Sequence, residues 1–123
     1  MKKYILIIDD DSRNIFALTA VLKSKGFYCL SAPGMAEAFV VLKNNHEKID
    51  IILLDMMMPE MDGYEAIPNI KAVNEYQHIP IVAVTAQAMA GDREKCLAAG
   101  ADDYISKPVN IDLLLDIIKN NMR

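Results

Sequence analysis

Ile5-Leu6-Ile7-Ile8-Asp9-Asp10-Asp11 decides the fold of this chain: an unbroken aliphatic run that stops on three carboxylates. A short apolar run without alternation, bounded by polar residues, reads as a strand buried on both faces, which is the habit of parallel sheets. Working outward, Ile51-Ile52-Leu53-Leu54 ends on Asp55, Ile81-Val82-Ala83-Val84 ends on Thr85, and a shorter run ends on Lys107. Parallel strands bring their carboxyl ends to one edge, and the ligand crevice of an open α/β sheet lies outside that edge. Residues scattered along the chain are therefore expected to meet as one polar constellation.

The segments between the runs read as helices. Asp11 or Ser12 can cap a helix carrying Ile15, Leu18 and Leu22, which Gly26 stops. A short strand follows near Tyr28 to Leu30. After the Pro33-Gly34 turn, Met35, Ala38, Phe39 and Leu42 recur at i, i+3, i+4, i+7. Past the Asp55 strand, a third helix is expected from about Tyr64 to Val73, with Pro68 inside it predicting a kink or a late start. Ile79 to Thr85 reads as the fourth strand. Asp92 to Ala99 has little amphipathic pattern, although Gly100 is a good stop signal. Tyr104 to Ser106 is the last strand, and Asn110 caps a helix with Ile111, Leu114, Leu115 and Ile118 on one face. Strands alternating with helices predict an α/β, three-layer sandwich with right-handed crossovers and strand order 2-1-3-4-5, a flavodoxin-like (βα)5 fold.

With 123 residues and 53% hydrophobic content, the chain is expected to form one domain over residues 1–123. Its apolar stretches fall short of the roughly 18 residues that a membrane span needs, so a cytoplasmic protein is expected. Cys29 and Cys96 are too few and too isolated for a disulfide framework or a zinc knuckle. A formal net charge of −4 argues against a nucleic-acid surface, so a direct DNA role would require another chain.

Asp9, Asp10 and Asp55 at adjacent strand ends repel one another unless a cation sits among them. Magnesium suits such a site, because it binds oxygen, keeps several waters and takes one or two carboxylates with a phosphate oxygen. Lys107 adds a second positive charge able to neutralise a phosphoryl group, and Thr85 adds a hydroxyl donor. An aspartate so flanked can attack phosphorus and hold the resulting acyl phosphate. Taken singly, each element has a plainer reading: three aspartates after a strand as a solvated helix start, and Lys-Pro as a loop. Their joint occurrence at four strand ends favours the site. His46 and His78 lie in polar segments and read as solvated, and Met56-Met57-Met58 reads as apolar loop packing.

The joined pattern resembles the receiver domain of two-component response regulators. It comprises the Asp9-Asp10-Asp11 run, Leu-Leu-Asp55-Met-Met-Met-Pro59 with Met61-Asp62-Gly63, Val-Thr85-Ala86, Gly100-Ala-Asp-Asp-Tyr104 and Lys107-Pro108. The resemblance implies that Asp55 accepts a phosphoryl group from a sensor histidine kinase or a histidine phosphotransfer protein. It implies that Asp10, Asp55 and the backbone carbonyl of Met57 bind Mg2+ directly, with Asp9 acting mainly through water. Thr85 and Lys107 would contact phosphoryl oxygens, Tyr104 would be the aromatic switch, and the Lys107-Pro108 bond would be cis. Two stretches, Asp11-Ser12-Arg13-Asn14 and Ala88 to Cys96, are most similar to receivers of hybrid sensor kinases. Competing readings are an aspartyl-nucleophile phosphatase, whose second acid would stand where Met57 does, and a flavin carrier, whose phosphate the acidic cluster would repel.

Overall fold

The computed structural model describes residues 2–86 and 90–122. Strands β1 (Tyr4–Ile8), β2 (Tyr28–Ala32), β3 (Ile49–Asp55), β4 (Ile81–Thr85) and β5 (Asp103–Ser106) alternate with helices α1 (Ser12–Ser24), α2 (Met35–Asn45), α3 (Gly63–Lys71), α4 (Asp92–Ala98) and α5 (Ile111–Asn121). The strands form one parallel sheet in the order β2-β1-β3-β4-β5, as the sequence predicts. Alternation of side chains along each strand divides the interior in two. Leu6, Ile8, Ile52 and Leu54 face Ala38, Leu42, Ile67 and Cys96 of α2, α3 and α4. Ile5, Ile7, Ile51 and Leu53 face Leu22, Leu114 and Ile118 of α1 and α5. Each fully buried aliphatic side chain contributes about 1.5–3 kcal/mol, so the sheet is held firmly from both sides.

Helix boundaries follow cap chemistry. The Asp11 carboxylate accepts from the Arg13 N–H, Asp62 from Glu65 and Asn110 from Leu113, each satisfying an N–H that the first turn leaves open. Gly100 ends the α4 region with φ +115°, and a Cβ there would come within 2.9 Å of Ile67 Cγ2. The position therefore demands glycine for both backbone and space.

Several details differ from the sequence reading. Helix α3 does not start late at Pro68: it begins at Gly63 and runs through the proline to Lys71. The missing Pro68 N–H deprives only the Tyr64 carbonyl near the helix start, the ring faces solvent, and the Asp62 cap with buried Ala66, Ile67 and Ile70 sustains the helix. A 3-10 turn, Asn74–Tyr76, follows, and β4 begins at Ile81 instead of Ile79. Ile79 is spent closing that turn, its N–H donating to the Tyr76 carbonyl at 3.1 Å. His46 is not simply solvated: it is half-buried, its ring 5.6 Å from that of Tyr76. No helix among the described residues is long and apolar enough to cross a membrane.

Candidate functional site

The β1 aspartates separate into three environments. Asp11 is committed to capping α1, Asp10 is exposed, and Asp9 is 3% exposed with its Oδ1 accepting the Asp11 N–H at 2.8 Å. Asp55 is buried at the end of β3, and its Oδ1 accepts the Met57 N–H at 3.0 Å. Lys107 reaches both buried acids, with Nζ 3.6 Å from Asp9 Oδ2 and 3.7 Å from Asp55 Oδ2. Its own N–H donates to the Thr85 carbonyl at 2.7 Å, which places it beside the end of β4. The Lys107-Pro108 peptide is cis.

One carboxylate oxygen from each of Asp9, Asp10 and Asp55 lies within 4.8 Å of the others. Burial pushes the Asp55 carboxyl above the ordinary range, and the charges of Asp9 and Asp10 push the same way. The Met57 N–H and the Lys107 ammonium oppose them without cancelling them. A single ammonium at ion-pair distance does not neutralise three carboxylates. An all-oxygen donor set carrying excess negative charge fits a hard divalent cation. No histidine or cysteine joins the cluster among the described residues, which leaves nothing to favour zinc.

Thr85 is buried at the end of β4, and Asp55 pairs in register with its neighbour Val84. Tyr104 sits half-buried on β5, packed against the core on the α2, α3 and α4 side, and burial pushes its phenol up. The methionines divide: Met56 and Met58 pack inward as expected, whereas Met57 is 49% exposed. Gln87 and residues 88–89 of the stretch likened to hybrid-kinase receivers lie outside the described residues.

Two positioning features escaped the sequence reading. Gly63 donates its N–H to the Met56 carbonyl at 3.0 Å, and a Cβ on it would stand 2.9 Å from Met56 Cα. This close approach clamps the two ends of the loop that follows Asp55. Glycine in Met61-Asp62-Gly63 was the available signal, but a turn would also account for it. On the far side of α3, the Tyr64 hydroxyl lies 3.8 Å from Cys96 Sγ, and burial together with that contact pushes the phenol up to about 12. Nothing local in the sequence announces that pair.

The model of the response regulator receiver domain matches residues 5–119. A hybrid signal transduction histidine kinase of Dictyostelium discoideum is 38% identical over 96% of this chain, which spans 7% of that kinase's length. The polar-differentiation response regulator DivK of Brucella ovis is 32% identical over 98% of this chain and 96% of its own. Among solved structures, the receiver domain of a Pseudomonas aeruginosa sensor histidine kinase, with a magnesium ion coordinated in its active-site cleft, superposes with a TM-score of 0.81. It is 33% identical and covers 98% of both chains. With fold, acidic edge and family match in agreement, this chain belongs to the response regulator receiver domain family, the phosphoacceptor switches of two-component signal transduction.

Proposed function

We propose that residues 1–123 act as a single cytoplasmic receiver unit in which Asp55 takes a phosphoryl group from the phosphohistidine of a sensor histidine kinase or a histidine phosphotransfer protein. The observation that carries this reading is Asp55 itself: buried, crowded by two carboxylates, and faced by the Lys107 ammonium at 3.7 Å. In the transfer, an Asp55 carboxylate oxygen forms the new bond to phosphorus while the phosphorus–nitrogen bond to histidine breaks. The Met57 N–H on Oδ1 holds the carboxylate plane, leaving the other oxygen to react. Lys107 and the Thr85 hydroxyl take up charge on the phosphoryl oxygens.

Asp10, Asp55 and the Met57 carbonyl would hold Mg2+, with Asp9 acting through water. The ion would supply charge neutralisation at the phosphoryl oxygens. Its presence in the P. aeruginosa receiver supports the assignment. Thr85 moving toward the phosphoryl group and Tyr104 turning inward behind it would carry the signal to α4, β5 and α5.

A donor protein has a fitting surface beside Lys107. Phe16 on α1 is 78% exposed, and a groove that reaches Asp9 and Lys107 is lined on its apolar part by Ala17, Leu18, Val21, Pro108 and Ile111. The phosphatase reading has no support at Met57, where a thioether stands in place of a general acid. Hydrolysis of the acyl phosphate would be the only further chemistry, timed by how water reaches phosphorus past Met57.

Acetyl phosphate with magnesium tests the assignment by intact-mass measurement. One phosphoryl group is expected on the wild type and none on Asp55→Asn. Full labelling of that variant would remove Asp55 from the role.

A further inference from the structure

A groove of about 480 Å³ runs beside the acidic edge on the side away from α1, between the start of α2 and the loop after β3. Its floor is apolar and rich in methionine, with Met35 and Met58 buried and Phe39 and Met61 half-buried. Its rim carries the exposed carboxylates of Asp10, Glu37 and Glu60, and no lining residue is cationic. Among the described residues, none of these three carboxylates enters an ion pair. Gly34 lines the mouth beside Glu37, whose Oε1 stands 3.3 Å from where a Cβ of residue 34 would sit.

This combination selects its occupant. Thioether side chains adapt to varied apolar shapes, so the floor suits a side chain of loosely defined outline. An unpaired acidic rim repels acidic segments and nucleic acid, and a second copy of a chain with net charge −4 is disfavoured for the same reason. Guanidinium is planar, weakly hydrated and suited both to carboxylates and to an aromatic face such as Phe39. We propose that this groove docks a segment of a partner protein presenting an arginine between apolar residues, and that magnesium at Asp10 weakens the docking. The groove stands on its own geometry, whereas the magnesium clause rests on the metal role proposed for Asp10. Two cations drawn to one carboxylate oppose each other, and by linkage each lowers the affinity for the other equally.

The probe is the capped peptide acetyl-Leu-Arg-Leu-amide, with the neutral citrulline analogue and acetyl-Leu-Glu-Leu-amide as controls. Binding is followed in EDTA by the methyl resonances of protein labelled at methionine. Saturable shifts are expected at Met35, Met58 and Met61 but not at Met122. Affinity should fall about fivefold for the citrulline peptide, and Glu37→Gln with Glu60→Gln should erase the preference for arginine. Saturating magnesium should weaken the arginine peptide by a similar factor. Unmoved methyls, or equal binding of the citrulline or glutamate peptide, would overturn the docking site. Shifts that instead follow protein concentration without peptide would assign the groove to a second copy and overturn it too. Peptide binding indifferent to magnesium, in protein that calorimetry shows to bind the ion, would overturn the magnesium clause. Calorimetry showing no ion bound would overturn that clause together with the metal reading, while the arms in EDTA still decide the groove.

Discussion

The two edges of the sheet use the same residue types to opposite ends. At the amino edge, Asp50 accepts the Tyr4 N–H at 2.9 Å, and Asp102 accepts the Ile81 N–H at 2.8 Å with Lys71 Nζ at 3.4 Å. Lys71 also donates to the Gln77 carbonyl, and the stacked Tyr4 and Tyr28 rings each carry a lysine over one face. At the carboxyl edge, Asp9 and Asp55 crowd Asp10 and hold one lysine at 3.6 and 3.7 Å. The difference begins with the backbone. At the amino edge Asp50 and Asp102 each accept an N–H from a neighbouring strand and so tie strands together, whereas at the carboxyl edge Asp9 and Asp55 each accept an N–H only two residues on in the chain. The crowded acids of the second edge share one ammonium, so that edge is the one suited to a hard cation.

Replacing the lysine on each edge should break this symmetry most sharply. Lys107→Met removes the ammonium shared by Asp9 and Asp55 and should slow phosphorylation by acetyl phosphate about 100-fold or more. Lys71→Met should leave that rate within about twofold, because its partners are backbone carbonyls and Asp102, far along the sheet from the reacting carboxylate. Matched rates for the two variants would mean that the lysines differ only in address.

The next largest effect lies at the amino edge. Asp102→Ala leaves the Ile81 N–H without its acceptor and should cost about 2 kcal/mol in urea unfolding. The stability gained on adding magnesium should be unchanged in the variant. A magnesium response that shrinks with it would tie the two edges together through β4.

How much of this contrast the sequence carries depends on the range of the interaction. The carboxyl edge is legible because abrupt ends to apolar runs such as Ile5 to Ile8 and Ile51 to Leu54 mark where the chain leaves the sheet, and the next residue is the site residue. Caps at Asp11 and Asn110 are legible because the capped N–H lies only two or three residues on. The Asp102 bond to Ile81, the His46 contact with Tyr76 and the Tyr64 contact with Cys96 join distant segments and leave no local pattern. Pro68 misleads for a related reason: propensity opposes the helix locally, and burial of Ala66, Ile67 and Ile70 overrides it.

A smaller effect tests the claim that the carboxyl edge stores repulsion. Folding raises the Asp55 pKa, chiefly by burial, so the folded protein binds that proton more tightly than the unfolded chain. Magnesium-free stability should therefore fall as pH rises through the window above the ordinary carboxylate value, and the loss persists at neutral pH. Asp55→Asn removes that charge and should stabilise the magnesium-free protein by about 1 kcal/mol at pH 7, flattening the acid side of the profile. Thermal or urea unfolding across pH 4–7 measures both. A destabilised Asp55→Asn would mean that attraction to Lys107 outweighs burial and repulsion.

The smallest effect concerns how long the signal persists at the open edge. Water must approach phosphorus in line with the bond to Asp55, and the side chain two residues past that aspartate flanks the route. Here it is Met57, 49% exposed, whose thioether accepts hydrogen bonds only weakly and cannot orient water. Its N–H is already committed to Asp55 Oδ1, so a substitution changes the side chain while leaving the carboxylate's orientation in place. Met57→Asn gives water an amide to bind and should speed decay of the phosphorylated protein about three- to fivefold in excess magnesium, worth less than about 1 kcal/mol. Decay is followed by mass after rapid removal of acetyl phosphate. Equal or slower decay in Met57→Asn would show that the side chain at this position does not limit the attacking water.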